Sequence, residues 1–366
     1  MSTARPILFL DHTSKLGGAE LSVARYLRHD LAGTAALAVL SPEPVTAWNL
    51  PDRVPVHHTQ ATAGIDSIPR VVAELRGLIE AVDPVCVIAN SYSAAQYLAF
   101  VPKKRRRFFY FLRQEALPNG LGRAKSYLNR VFVLRRFDGY FANSQWTAST
   151  LPAEIATERP VIISHPISGI NVAAGSRHLD ADRPIRMLTL SRLSPWKGID
   201  TAIEALRLLG PSVNEWATLT VVGGDLFGEG DYSTHLRRIA EGHDVEFMGQ
   251  QTNTAPFLQK ADVLLCLSKT PEPFGQVIIQ GMASGCVVIA TDQGGPREII
   301  TDGVDGILVP PDSPEKVRDV LTRLRNEPEW FASLSAHALA TARAYEDDVT
   351  IPAFARDIRA LSERSR

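Results

Sequence analysis

The chain has 366 residues, 45% hydrophobic and 22% charged, with 39 Lys plus Arg against 40 Asp plus Glu and a formal net charge of −1. These values exclude the disordered and fibrous classes, and the near-neutral balance speaks against bulk nucleic-acid binding. The length suggests two domains, each with enough chain for its own core, and no run approaches the ~20 apolar residues of a membrane span.

The opening MSTARPILFLDHTSK has one Arg ahead of a short apolar run that stops at Asp11. That run is too short for a signal-peptide core and reads as a first strand. PILFLD (6–11) is followed by the helical pattern AELSVARYLRHDL, and the alternation continues through runs at 35–41, 85–90, 107–112, 139–143 and 161–164. Apolar runs buried on both faces and alternating with amphipathic helices predict a parallel sheet covered on both sides. Residues 166–183 are rich in Gly, Pro, Ala and Asp, lack an apolar period, and read as a linker. The series restarts at 185–191, 218–224, 244–249, 262–268, 287–291 and 306–310. The expected architecture is α/β, with two Rossmann-like, doubly wound domains at 1–168 and 184–346 and a last helix near 347–366 that packs back on the first. Two such sheets facing one another place their strand C-termini on either side of a cleft.

Cys86, Cys266 and Cys286 each sit inside an apolar run, so they read as buried strand cysteines. Their spacing forms no disulfide framework, which fits a reducing cytoplasm. His57 and His58 read as strand-end surface, because adjacent side chains on a strand point opposite ways.

Three segments carry residues suited to chemistry. In the first β–α turn, Gly17 and Gly18 precede a helix, so the backbone can approach a phosphate or sugar hydroxyls; a tight turn needing positive φ is the alternative. In LTLSRLSPWKGID, Arg192 and Lys197 share the loop after the second domain's first strand, where two cations can clamp a diphosphate. In LSKTPEPFGQVIIQGMASG, Glu272, Pro273, Phe274 and Gly275 form a turn into a helix. The amides of Gln276, Val277 and Ile278 are then expected to be free for phosphate. A carboxylate beside bound phosphates is repelled, so Glu272 makes sense as an acceptor of sugar hydroxyls. Gln280, eight residues on, is placed for a second set of hydroxyls. Downstream, Gly294, Gly295 and Glu298 repeat the turn-to-helix arrangement.

These motifs together resemble the retaining, nucleotide-sugar-dependent glycosyltransferases of the GT-B fold, family 4. The resemblance rests on G-G-A-E (17–20), S-R-L-x-x-x-K-G (191–198), V-V-G-G (221–224), E-P-F-G (272–275), G-M-A-S-G (281–285) and G-G-P-R-E (294–298). It implies that Arg192 and Lys197 bind the donor diphosphate, that Glu272 holds the transferred sugar, and that the Gly17–Gly18 turn closes over it. It also implies that the backbone from Met248 through Gly249 to Gln250 receives the nucleobase. The chain departs from the family at two places. Gln280 stands where a second carboxylate commonly holds the ribose, and Arg113, with Gln114 and Glu115 beside it, stands where a histidine is common.

The implied reaction is attack by an acceptor hydroxyl on the donor's anomeric carbon with retention. Fixed cations and helix amides stabilise the leaving diphosphate, so neither a cofactor nor a metal is expected. Asp180 and Asp182 spell D-A-D, but in the linker they read as a solvated turn. Between Lys103 and Arg136 stand eleven cations and one anion, Glu115, which suggests an anionic or lipid-linked acceptor and peripheral membrane contact. The alternative for that segment is a solvated turn entering a strand; for the protein's function the alternatives are a catalytically degenerate sugar-nucleotide-binding partner subunit or a GT-B-fold sugar epimerase. Neither domain carries the dinucleotide fingerprint of an NAD-dependent oxidoreductase.

Overall fold

The computed structural model describes residues 5–29, 34–117, 122–180, 183–210, 217–225 and 230–363. Asp182 of the D-A-D sequence lies outside them. The chain divides into two compact units: residues 1–169 with 347–366, and residues 170–346.

The first unit is built on a parallel sheet of β1 (Ile7–Asp11), β2 (Ala35–Val39), β3 (Val56–His58), β4 (Cys86–Ala89), β5 (Arg107–Leu112), β6 (Gly139–Ala142) and β7 (Val161–Ile163). The spatial order is β3-β2-β1-β4-β5-β6-β7. Every pairing is parallel, as in Leu8 opposite Ala36 on one side and Val87 on the other. Strand β3 contains His57 and His58, both half-buried at the sheet edge, and His58 Nδ1 lies 3.0 Å from the Ser41 carbonyl.

One face of this sheet packs against Val71, Leu75 and Ile79 of the helix Ile68–Val82 and Leu98 of the helix Tyr92–Ala99. The other face is covered by the helix Gly18–His29 and the last helix, Asp347–Glu363. Phe354 of that last helix meets Tyr26 at 5.0 Å, Phe111 at 5.6 Å and Phe141 at 5.7 Å between ring centroids. Aromatic packing of this kind, with Ile358 and Leu361 fully buried beside it, attaches the C-terminal segment to the first unit.

The second unit repeats the plan with β8 (Ile185–Leu190), β9 (Ala217–Val222), β10 (Val245–Gly249), β11 (Val263–Cys266), β12 (Val287–Thr291) and β13 (Ile307–Val309), in the order β10-β9-β8-β11-β12-β13. Residues 170–183 form no helix or strand where described, yet they are fixed to this unit. Ala173 N donates to the Ala283 carbonyl at 2.8 Å, and Arg177 donates to the carbonyls of Leu258 and Ser284 at 2.9 and 2.7 Å. Asp262 is fully buried just ahead of β11 and takes bonds from Arg183 at 2.6 Å and Arg186 at 3.0 Å. All three cysteines are buried and free; Cys86 and Cys266 lie in strands, and Cys286 immediately precedes β12.

The strand order reverses at β1/β4 in one sheet and at β8/β11 in the other. The loops leaving the C-terminal ends of such strand pairs form a crevice. Each of the two clusters described next lies at the reversal point of its own sheet.

Candidate functional site

In the second unit, β8 runs into the loop Ser191–Gly198, closed by the 3-10 turn Pro195–Lys197, before the helix Ile199–Arg207. Arg192 and Lys197 sit on the Trp196 indole, with Arg192 Cζ 5.4 Å and Lys197 Nζ 4.0 Å from its centroid. The aromatic ring thus gathers both cations of the loop. Gly198 has φ +65°, and a Cβ there would lie 1.9 Å from the Leu267 carbonyl oxygen. Its lack of a side chain lets the loop after β8 touch the loop after β11.

That contact brings together residues 75 positions apart. Lys197 Nζ donates to Glu272 Oε2 at 2.6 Å, and Ser268 Oγ donates to the same oxygen at 2.8 Å. Glu272 is 9% exposed. Its backbone forms an isolated parallel bridge with Gly294, and its carbonyl accepts from Gly295 N at 2.7 Å. Gly294 has φ +72°, and a Cβ would meet the Glu272 carbonyl at 2.4 Å, so this contact also requires glycine.

Phe274 is buried, and Gly275 turns the chain at φ +94° into the helix Gln276–Ala283, which carries Val277 in its first turn and Gln280 further along. The Ile278 amide, expected to be free, donates instead to the Gly275 carbonyl at 2.9 Å in a tightened first turn. Lys197, Ser268, Val277, Ser191 and Thr189 line a small recess at this point, and the buried Thr189 hydroxyl has no partner among the described residues. At the end of the edge strand β10, Gly249 is exposed at φ +66°, its carbonyl takes Gly223 N at 2.9 Å, and the Met248 carbonyl takes Gln251 Nε2 at 2.7 Å.

The first unit holds a second polar cluster. Gly17 N donates to Glu20 Oε2 at 2.8 Å, the N3-carboxylate half of a capping box on the helix Gly18–His29. Neither Gly17 nor Gly18 has positive φ. A Cβ at Gly17 would lie 2.6 Å from the Glu20 carboxylate, so a side chain there would displace the capping carboxylate. Asp11, fully buried, accepts from His12 N at 2.7 Å and from Asn90 Nδ2 at 2.7 Å. His12 Nδ1 lies 3.1 Å from Asp11 Oδ1 and 2.9 Å from Ser91 Oγ. Arg113 donates twice to Asn90 Oδ1, at 3.0 and 2.8 Å, and stacks 3.4 Å over the Phe111 ring. Glu115, half-buried, lies two residues further along the same loop. One ligand-type atom from each of Asp11, His12 and Glu20 falls within 4.8 Å of the others. Asp11, His12 and Asn90 escaped the sequence reading because each alone looks like ordinary strand-end or turn chemistry.

Charge in this cluster is shifted strongly. Burial, then the neighbouring Asp11 charge, pushes Glu20 up to about 7, against the opposing backbone bonds and His12. Burial draws the Arg113 guanidinium down to about 9, opposed by Glu20 and Asp11. Burial also pulls His12 down, but its bond to Asp11 and the charges of Asp11 and Glu20 outweigh this and raise it.

A carboxyl raised on folding stabilises the native state below its unfolded value, near 4.5, and loses that contribution as pH rises through about 7. The difference amounts to ~3 kcal/mol at 1.36 kcal/mol per pH unit. Glu20→Gln keeps an oxygen for Gly17 N–H and is uncharged throughout. Between pH 5 and 8 the wild-type melting temperature is therefore expected to fall relative to that of Glu20→Gln. Parallel pH profiles would contradict the assignment.

The basic segment is largely committed within the first unit. Lys103 pairs with Asp138 at 2.8 Å, Lys104 with Glu80 at 2.7 Å, and Arg105 and Arg106 with Asp83 at 3.0 Å each. Arg107 bonds the Leu361 carbonyl, Arg130 and Arg135 pair with Glu154 and Glu158, and Arg136 bonds the Ala99 and Val101 carbonyls. With Arg113 on Asn90, only Arg123 and Lys125 of the eleven cations have side chains without a partner among the described residues. They lie on the short helix Arg123–Leu128, beside the exposed Tyr127 and Leu128. Among the described residues, no helix is long and apolar enough to cross a membrane.

Comparison with known proteins places this geometry in context. Residues 176–341 match the family described as glycosyl transferases group 1, a span that contains Arg192, Lys197, Ser268, Glu272 and Gln280. The chain is 30% identical over 208 residues to the lipopolysaccharide core biosynthesis glycosyltransferase LpsE of Rhizobium meliloti, covering 53% of this chain and 57% of that protein. It is 30% identical over 174 residues to a D-inositol 3-phosphate glycosyltransferase of Thermomonospora curvata, covering 45% and 40%. The alignments thus span about half the length of these curated relatives. Among solved structures, Anabaena Alr3699/HepE in complex with UDP and glucose superposes with a TM-score of 0.82 at 24% identity, covering 97% of this chain and all of that one. The two Rossmann-like units are those of the GT-B fold.

Proposed function

We propose that the protein is a glycosyltransferase that moves a sugar from a nucleoside-diphosphate sugar to an acceptor hydroxyl, with retention at the anomeric carbon and without a metal. The observation that carries this reading is the Lys197–Glu272 pair at the β8/β11 switch point, beside the first turn of the helix Gln276–Ala283. A carboxylate next to a diphosphate is repelled unless a cation accompanies it, and Lys197 is that cation. Its ammonium has three donors, of which Glu272 takes one, so the same side chain also serves the diphosphate.

Arg192 provides the second charge and the amides of Gln276 and Val277 the helix-end donors, together stabilising negative charge on the leaving diphosphate. As the acceptor oxygen bonds to the anomeric carbon, the bond from that carbon to the phosphate oxygen breaks, its electron pair leaves with the diphosphate, and the acceptor hydroxyl's proton passes to the departing diphosphate oxygen. Glu272 receives hydroxyls of the transferred sugar. Gln280 serves the ribose as a neutral acceptor, weaker than a carboxylate. Gly249 and its neighbours receive the base, and the resemblance assigns the Gly17–Gly18 turn to the sugar. The match over 176–341 supports the donor side of this reading.

For the acceptor we propose an anionic or lipid-linked molecule met by the first unit, with Arg113 and Glu115 on that side and Arg123, Lys125, Tyr127 and Leu128 at the surface. Co-sedimentation with anionic vesicles separates the lipid-linked kind from the soluble kind. Three free, buried cysteines support a cytoplasmic setting.

The stereochemical part is checked by proton NMR of the product formed in excess EDTA. An α-linked product from an α-linked donor is expected; a β-linked product, or loss of turnover with EDTA, contradicts retention or metal independence respectively.

A further inference from the structure

Ser268 is fully buried at the start of the loop after β11, and neither its hydroxyl nor its position has a role in the reading above. Its carbonyl is held twice from the next strand and loop, by Thr291 Oγ1 at 2.8 Å and Gln293 Nε2 at 2.9 Å. From that fixed backbone, its hydroxyl donates to Glu272 Oε2 at 2.8 Å, on the oxygen that also takes Lys197 at 2.6 Å. Oε1 has no partner among the described residues, and 11% of the Glu272 side-chain surface remains accessible.

A carboxylate turns easily about its last torsion, which is broad and two-fold. Two donors on one oxygen, arriving from the loops after β8 and β11, remove that freedom and aim the other oxygen. The aimed atom is a charged acceptor with no donor of its own, which suits hydroxyl groups and repels phosphate.

We propose that Ser268 is a positioning residue that sets recognition of the sugar half of the donor: with Lys197 it pins Glu272 Oε2 so that Oε1 is presented to sugar hydroxyls. This rests on the assignment of Glu272 to the transferred sugar. Lys197 is a charge as well as a positioner, whereas Ser268 changes no charge. Its removal therefore separates orientation of the carboxylate from electrostatics at the diphosphate.

The test compares binding of each nucleoside diphosphate with its hexose ester, using UDP and UDP-glucose, GDP and GDP-mannose, and ADP and ADP-glucose, by calorimetry on the full chain. For the pair that the wild type selects, Ser268→Ala is expected to weaken the ester roughly fivefold to tenfold, the scale of one ordinary hydrogen bond because the carboxylate is misaimed and not removed, with the diphosphate unchanged within about twofold. Ser268→Thr, which keeps the hydroxyl, is expected to restore the preference. Ser268→Ala combined with Glu272→Ala is expected to be no worse than Glu272→Ala alone.

Equal loss of diphosphate and ester, or additive losses in the double variant, overturns the positioning role. A wild-type preference that survives Ser268→Ala overturns it as well. A wild type that binds none of the pairs overturns the nucleotide-sugar reading and this proposal with it, whereas the other outcomes leave that reading standing.

Discussion

Glu272→Ala is expected to lower kcat/KM for sugar transfer by ~10²–10⁴, while affinity for the free nucleoside diphosphate stays equal or tightens. Two effects set the direction. The carboxylate's bonds to sugar hydroxyls are charge-assisted, worth roughly 1.5–3 kcal/mol each, and they disappear with the side chain. Lys197 meanwhile loses its partner in a largely buried place and becomes more available to phosphate. A loss shared equally between diphosphate binding and transfer would show that Glu272 supports the whole pocket and not the sugar. The measurement is steady-state kinetics paired with calorimetry of the diphosphate.

The second large effect is on folding. Gly198→Ala puts a methyl 1.9 Å from the Leu267 carbonyl oxygen while keeping φ near +65°. Left-handed backbone costs an alanine ~1 kcal/mol, and relieving a backbone overlap raises the total to ~2–4 kcal/mol. Because this contact joins the two loops, diphosphate binding is expected to weaken along with the melting temperature. Gly303→Ala is the control: φ is +74° and nothing lies within 4 Å of the added Cβ, so only the smaller backbone cost applies. Equal destabilisation by the two substitutions would mean that the close approach at Gly198 contributes nothing.

Both predictions depend on contacts between segments distant in sequence, and these mark where sequence reading stops. The strands were legible because parallel strands buried on both faces are written as apolar runs, as in Phe108–Leu112 or Val287–Thr291. Strand β3 was not in that series: three half-buried residues at a sheet edge have no apolar signature. In the site, Gly275 and Gly294 were legible as turns before helices, and Arg192, Lys197 and Glu272 as charges at strand ends.

That Lys197 lies on Glu272 was not legible, since a spacing of 75 residues says nothing about contact. Ser268 and Trp196 were invisible for the same reason; serine and tryptophan in a loop are ordinary until their neighbours are known. The basic run makes the converse point. KKRRR reads as free charge only while Glu80, Asp83 and Asp138 are 20 or more residues away along the chain; folding brings them alongside. His12 and Asp11 are adjacent in sequence, but their meaning comes from Asn90 and Ser91 at the end of another strand.

The measurement that tests the central claim most directly is thermal stabilisation of the full chain against UDP-, GDP-, ADP- and dTDP-sugars. A ligand that binds the folded state alone raises the melting temperature by mass action. One nucleotide family is expected to raise it selectively, and a slow release of nucleoside diphosphate from that donor is expected to follow. A shift without any turnover in the presence of acceptors would indicate a donor-binding subunit lacking catalysis. No shift with any of the four would contradict the nucleotide-sugar site at Arg192, Lys197 and Glu272.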